Sequence, residues 1–477
     1  MPLKNRRQEL LDLSRRDPQA LVEEVLSLEE RVAQLEEENK RLKGSLALNS
    51  RNSSKPPSSD GPAKPAPRSL RKKSARKPGG QRGHPGRTLQ PVEKPDHIIK
   101  HRLDRCSCGH CHGVSLRQEP VVEYEKRQVF DLPPRLLEVT EHRAEWKRCP
   151  VSGYLVGAPF PEEVQAPVQY GARFKAVLSY LNVDHFIPYK RLRRLSEDIF
   201  GQPISEATVV AANESLAKNL EEWEQELKEE LKRAPLVHLD ESGMRIAGKR
   251  NWLHVASTPE VTFYGCDQSR GSEAMDKLGI VPDLRNWVMH DHWKAYFTYE
   301  ECLHALCNQH HLRELRFLWE QNNEAWAKEL SEFLLREKKR CEKHGLPDSK
   351  RFKKILKEYR RILSKGRRRH PRKKGRQKQS KAANLLNRLQ DFHDCVLAYL
   401  RDPNVPFTNN QGEQDIRMIK VQQKISGGFR SLHGARVFTR VRSYISTNRK
   451  QKQNLFGSLH QAMLGHPFSP NVCINAP

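Results

Sequence analysis

The sequence predicts an α/β core in the second half of the chain, preceded by smaller regions of different texture. Two observations carry that reading. From residue 235 the apolar residues take up a strand period in PLVHLDESGMRIAG, NWLHVAST and VTFYGCDQ, and a fourth strand, RNWVMHDHW, follows the helical EAMDKLG segment. Strands succeeded by helices mean an α/β core. Ahead of residue 235 the text changes twice, from a heptad to a basic Pro/Ser/Gly stretch to a cysteine cluster, which sets the domain boundaries.

With 477 residues the chain has room for several cores, and 36% hydrophobic against 30% charged residues, with no long apolar run, argues against a membrane span. The N-terminus MPLKNRRQELL has no apolar signal segment, so a cytoplasmic, reducing setting is expected. The 10 Cys then read as thiols or metal ligands rather than disulfides. A net charge of +27 asks for a polyanionic partner, and DNA or RNA fits better than a membrane surface.

Residues 1–48 carry the heptad. Leu21, Leu28, Leu35 and Leu42 recur every seven residues, with Val25, Val32 and Asn39 midway between them. That is a leucine zipper whose buried Asn favours a parallel homodimer, or else one amphipathic helix docked on its own domain. Residues 49–95 read as a disordered basic linker that lies on phosphates, or as a solvated spacer. In residues 96–165, Cys106, Cys108 and Cys111 supply three close thiols, and Cys149 is the candidate fourth ligand for Zn²⁺ in a zinc-ribbon-like β region. Ser152 stands where a second CxxC would place its last Cys; His110 and His112 are spare ligands, and free thiols are the alternative. The stretches VVEYEKRQVF and LLEVTEHRAEW around this cluster are expected to be short strands.

Residues 166–233 contain three helical segments, the last capped by Ser205, in an order that suits a helix-turn-helix as well as ordinary helix packing. The core begins at 234–310. A helical insertion at 311–405 includes a run, 351–381, with sixteen Lys or Arg and one acid, Glu358, read as a DNA-contacting arm. The core resumes at 406–460 and a tail fills 461–477.

The chemistry is expected from carboxylates. Asp240 and Asp291 each close an apolar strand, where an acid is costly unless something positive meets it. Each alone reads as an ordinary turn Asp. Together on neighbouring strands they can meet at one sheet edge, and a third acid from a helix would complete a site for Mg²⁺. In TNNQGEQDIRMIK, Glu413 is that third acid, or the N3 member of a capping box led by Asn410. Helical spacing puts Arg417, Lys420 and Lys424 on roughly its side. Asp415 reads as an ion-pair partner for nearby bases, and Glu241 as pointing to the opposite face of the strand from Asp240. His304, Cys307, His310 and His311 form a further cluster of ligand types.

The segments HLDESG, MHDHWKAY, LCNQHHLREL, NNQGEQDIRMIKVQQKISGGFRS and NSSKPPSSD together closely resemble the DDE-type transposases of the insertion-sequence-66 family. The resemblance runs from the zipper to the RSYISTNRK segment near 450. It implies an RNase H-like catalytic core with a helical insertion between its second and third acids, behind a zipper, a zinc-binding region and a helix-turn-helix. By position Asp240, Asp291 and Glu413 match the three metal-binding acids, which would hold two Mg²⁺ (or Mn²⁺) ions for phosphoryl transfer. The implied partners are the element's terminal repeats, target DNA and small accessory proteins, with Lys420, Lys424 and Arg430 on backbone phosphates. The rival readings are a DNA-binding regulator without chemistry, and an RNase H-like nuclease or resolvase.

Overall fold

The computed structural model describes residues 11–12, 14–48, 90–108, 110, 112–133, 136–152, 154–372, 377 and 379–471. Most of the predicted linker and Cys111 lie outside these residues. The heptad forms one helix, α1 (Pro18–Leu46), started by Pro at its first turn and by the Asp17 carboxylate, which accepts the Ala20 N–H at 3.0 Å. Leu28, Leu35 and Leu42 remain about half exposed in the single chain, at 50%, 57% and 52%.

One compact unit comprises the described residues of 90–160 together with 196–202. Its ladder is the hairpin β1 (Trp146–Arg148) with β2 (Leu155–Gly157), antiparallel in the register Lys147↔Val156, plus a single bridge between Arg105 and Ser115. The expected strands in 121–130 and 136–145 do not form among the described residues. Their apolar side chains, Val122, Val129 and Val139 among them, stand open to solvent. Alternation specifies a strand only where a neighbour takes the backbone groups and a layer covers the apolar face.

The second unit holds the remainder. Helix α2 (Ala172–Ser179) runs on through a π-helical turn at Tyr180–Asp184, and α3 (Tyr189–Phe200) follows, its residues from Ser196 onward counted with the first unit. The third predicted helix is two, α4 (Glu206–Asn219) and α5 (Glu221–Arg233), broken at Leu220. The break falls where Glu221, Glu222 and Glu224 crowd together, a charge pattern that suits a helix N-terminus. Ser205 caps α4 by accepting the Thr208 N–H at 3.1 Å.

The sheet has five strands in the order β5-β4-β3-β6-β7. β3 (Leu236–Ile246), β4 (Lys249–Ser257) and β5 (Thr262–Asp267) form an antiparallel meander. A crossover through α6 (Ser272–Leu278) then brings β6 (Trp287–His290) parallel to β3, and β7 (Leu303–Leu306) parallel to β6. Every residue of β5 is buried although it ends the strand order. The hydroxyls of Ser443 and Thr447 on α13 (Leu432–Lys450) accept the N–H groups of Tyr264 and Thr262, at 2.8 and 3.1 Å, and so close that edge to further pairing.

Between β7 and the last helices lie α7 (Asn308–Asn322), α8 (Ala325–His344), α9 (Ser349–Arg369), α10 (Lys381–Asp391) and α11 (His393–Val396). They share their own apolar core, with Leu330, Phe333, Tyr359, Ile362 and Leu386 at its centre. Helix α12 (Asn410–Ser426) then returns to the sheet, and α14 (Leu455–Met463) follows α13. Among the described residues no helix is long and apolar enough to cross a membrane.

Candidate functional site

Strand register is what brings the two aspartates together. β3 and β6 pair in parallel as His238↔Met289, so two residues further along each chain come Asp240 and Asp291. Adjacent strands lie about 4.8 Å apart. β6 ends at His290, which leaves Asp291 free of the ladder with its Oδ1 accepting the Trp293 N–H at 2.9 Å. Asp240 accepts the Glu241 N–H at 2.8 Å. Burial, reinforced by the charges of Glu241, Asp291 and Glu413, pushes the Asp240 carboxyl well above the usual range. Among the described residues neither Asp240 nor Asp291 forms an ion pair with Lys or Arg.

Glu413 arrives from the first turn of α12, and that helix is strapped to β3 at both ends. At its start, the buried Asn409 donates from Nδ2 to Leu239 O (2.8 Å) and accepts at Oδ1 from His238 Nδ1 (2.7 Å), while its backbone N–H points at Cys307 Sγ (3.2 Å). At its end, Gly427 turns the chain with φ of 72°, and Phe429 bonds Arg245 O and Ala247 N in parallel with β3, each at 2.8 Å. Gly428 makes that approach feasible: a Cβ there would sit 2.8 Å from Arg245 O. Midway, Gln423 donates to Gly243 O at 3.0 Å.

This geometry corrects the capping-box expectation. The cap residue is Asn409, not Asn410, and it makes no side-chain cap because its amide is committed to β3. The Glu413 carboxylate faces α7 instead, 3.7 Å from Arg313 Nη2 and 4.0 Å from His310 Nδ1.

Glu241 lies on the other strand face, as alternation predicts, and it is almost wholly buried. Arg270 Nε donates to it at 2.9 Å and the Tyr296 hydroxyl donates as well. The Arg270 guanidinium is itself held over Trp252 (4.9 Å) and Trp293 (4.2 Å), with Arg250 over Trp252 at 4.5 Å. Neither Arg270 nor Tyr296 is marked by any local pattern; only the chemical need of a buried carboxylate for a partner points to them.

The bases predicted beside Glu413 are distributed along one exposed side. Arg417, Lys420, Lys424 and Arg430 are all exposed, and among the described residues none forms an ion pair. Asp415 pairs with Lys450 at 2.7 Å and does not join the other acids. Much of the basic run in the insertion is used internally: Arg361 and Lys365 meet Glu329, and Arg372 meets Asp391. Lys350, Lys353, Lys354 and Lys357 on α9 are exposed, with no ion pair among the described residues.

The predicted four-residue ligand cluster divides in two. His304 bonds His290 (3.0 Å) and Tyr299 O (3.0 Å), and His311 bonds Asn308 Oδ1 (3.2 Å), so both serve packing. Burial drives His290 down to about 3, an uncharged ring inside the sheet. Only Cys307 and His310 converge, and they do so on Glu413. In the other unit, Cys106, Cys108 and Cys149 are not gathered into one cluster among the described residues, and Cys111 lies outside them. The Cys149 thiol is lowered by the Ser152 hydroxyl and by the backbone N–H groups of Ser152 and Val151.

Comparison with known families returns two matches. A model described as the transposase IS66 family matches residues 167–437, and one described as a family of unknown function, DUF6444, matches residues 8–90. No curated protein matches the chain.

Proposed function

The chain belongs to the IS66 family of transposases, and from that premise we propose that it cuts DNA at the ends of a mobile element and joins them to target DNA by divalent-metal phosphoryl transfer. The observation that supports the reading is the placement of Asp240 on β3 and of Asp291 just past the paired β6, with the charges of Asp291 and Glu413 both acting on the buried Asp240 and α12 strapped to β3 on both sides of Glu413. Asp240 is desolvated, faces other carboxylates and has no cationic partner among the described residues, an arrangement that a cation would relieve. The fit is to a hard cation at oxygen donors, Mg²⁺ or Mn²⁺.

In this reading Asp240, Asp291 and Glu413 hold the ions. Bound there, two such ions would activate the attacking oxygen and stabilise the leaving one. The side chains themselves stay unmodified, and no covalent protein–DNA intermediate is required. Arg417, Lys420, Lys424 and Arg430, with Lys350, Lys353, Lys354 and Lys357 of α9, bind backbone phosphates on either side of the cut. An RNase H-like core accords with the strand order and with the insertion lying between the second and third acids. The half-exposed zipper leucines of α1 support a parallel homodimer, and Cys106, Cys108, Cys111 and Cys149 remain the proposed zinc ligands.

The test is Mg²⁺-dependent cleavage and strand transfer on DNA carrying the element's terminal repeats, run beside Glu413→Gln. The variant should lose at least 100-fold in rate, since removing one preorganised electrostatic group costs roughly 10²–10³. Full activity in Glu413→Gln would remove the assignment.

A further inference from the structure

Three donors of different chemistry meet where the first turns of α7 and α12 face each other. Cys307 Sγ, a His310 ring nitrogen and a Glu413 carboxylate oxygen all lie within 4.8 Å of one another, the one such trio found among the described residues. Cys307 is buried, whereas His310 and Glu413 are partly open. His310 Nδ1 is buried and makes no hydrogen bond, although it points toward Glu413. Cys307 stands at the N-cap of α7, and its sulfur accepts the Asn409 N–H. Burial and the Glu413 charge nonetheless push the Cys307 thiol up to about 11, so its proton leaves only as a cation binds.

A site built for Mg²⁺ has no use for a thiol or an imidazole, because that ion takes oxygen ligands. A thiolate, a neutral imidazole and a carboxylate together supply two negative charges and the mixed donor set of zinc sites. We infer that Cys307, His310 and Glu413 form a separate site for a thiophilic divalent cation of the Zn²⁺ or Co²⁺ class, which competes with the hard-metal site for Glu413. On binding, the thiol proton leaves to solvent and the sulfur lone pair bonds the cation; nothing is oxidised or reduced. Ligands at 2.0–2.3 Å in a tetrahedron sit roughly 3.5 Å apart, so His310 and Glu413 need only rotate inward, with water as the fourth ligand. Arg313 Nη2 lies 3.7 Å from the Glu413 carboxylate and offsets part of its charge.

The inference rests on the proposed function only through the role given to Glu413. The full-length chain, stripped of metal, is titrated with Co²⁺, and the near-ultraviolet thiolate-to-cobalt absorption is read as the difference between wild type and Cys307→Ser. That difference cancels what the remaining cysteines contribute. A difference band should appear, and His310→Ala and Glu413→Gln should each weaken cobalt binding by roughly 10–100-fold, at least what losing an outer-shell partner costs. Superimposable wild-type and Cys307→Ser spectra overturn the inference, as does unchanged affinity in His310→Ala. A chain that cuts DNA through Glu413 but shows no difference band sinks this site alone; the band in a chain that cuts no DNA sinks the transposition reading alone.

Discussion

The Asn409 clip can be tested by a double-mutant cycle with Gly412. Asn409→Ala strands two buried groups, His238 Nδ1–H and Leu239 O, each of which now has its partner at 2.7 or 2.8 Å. At about 1–3 kcal/mol for each unsatisfied group, the loss should be about 2–6 kcal/mol. Gly412→Ala acts through the same side chain, because a Cβ there would meet Asn409 Oδ1 at 3.0 Å and Nδ2 at 3.1 Å. In the intact chain that crowding costs about 1–3 kcal/mol and outweighs the helix-propensity gain of up to about 1 kcal/mol. With Asn409 already Ala, the crowding is gone and only the gain remains. The coupling between the two positions should therefore be about 1–3 kcal/mol, in the range seen for residues in direct contact. Urea unfolding of the four full-length proteins, followed by tryptophan fluorescence, measures it. An identical effect of Gly412→Ala in both backgrounds would refute the clip.

Four further outcomes follow from other parts of the molecule. Arg270→Met leaves the buried Glu241 carboxylate with only Tyr296, and should cost about 2 kcal/mol at neutral pH in the same urea assay, below the full buried-pair range because Arg270 is partly open to water. Leu35→Glu or Asn39→Asp should lower the mass seen by light scattering if α1 pairs in parallel; an unchanged mass would count against pairing. Lys420→Ala and Lys424→Ala should weaken binding evenly across DNA sequences, and each should reduce the slope of log affinity against log salt by roughly 1. Intact-mass analysis under native conditions should find one zinc fewer per chain in Cys149→Ser than in wild type; equal zinc in both would strike Cys149 from the ligand set.

What the sequence revealed depended on whether the deciding physics was local. The β3–β6 strands and the helices of the insertion were readable because their apolar periods continue uninterrupted and each meets a covering layer. In 121–145 the same alternation was misleading, since among the described residues no strand pairs with it. The face of Glu241 could be deduced from parity along one strand, but its partners Arg270 and Tyr296 come from elements 29 and 55 residues away. The Asn410 capping box failed for a related reason: local cap chemistry lost to two tertiary hydrogen bonds made by the residue before it. Of the four candidate ligands in His304–His311, only position in the fold separates the two that support packing from the two that face Glu413.

The junction of the insertion with the sheet has a consequence for how this chain tolerates change. Asn308 N–H bonds Phe407 O at 3.1 Å and Asn409 N–H bonds Cys307 Sγ, so two points 102 residues apart in sequence are already tied side by side. From the sheet's side, all of α7–α11 is one loop with a closed neck. Closing a loop costs only a logarithm of its length, so residues gained or lost within it change that term by a fraction of a kcal/mol per doubling. The neck fixes where the third acid re-enters, whatever hangs beyond it. Length there is free to drift, whereas a single substitution at the neck is not.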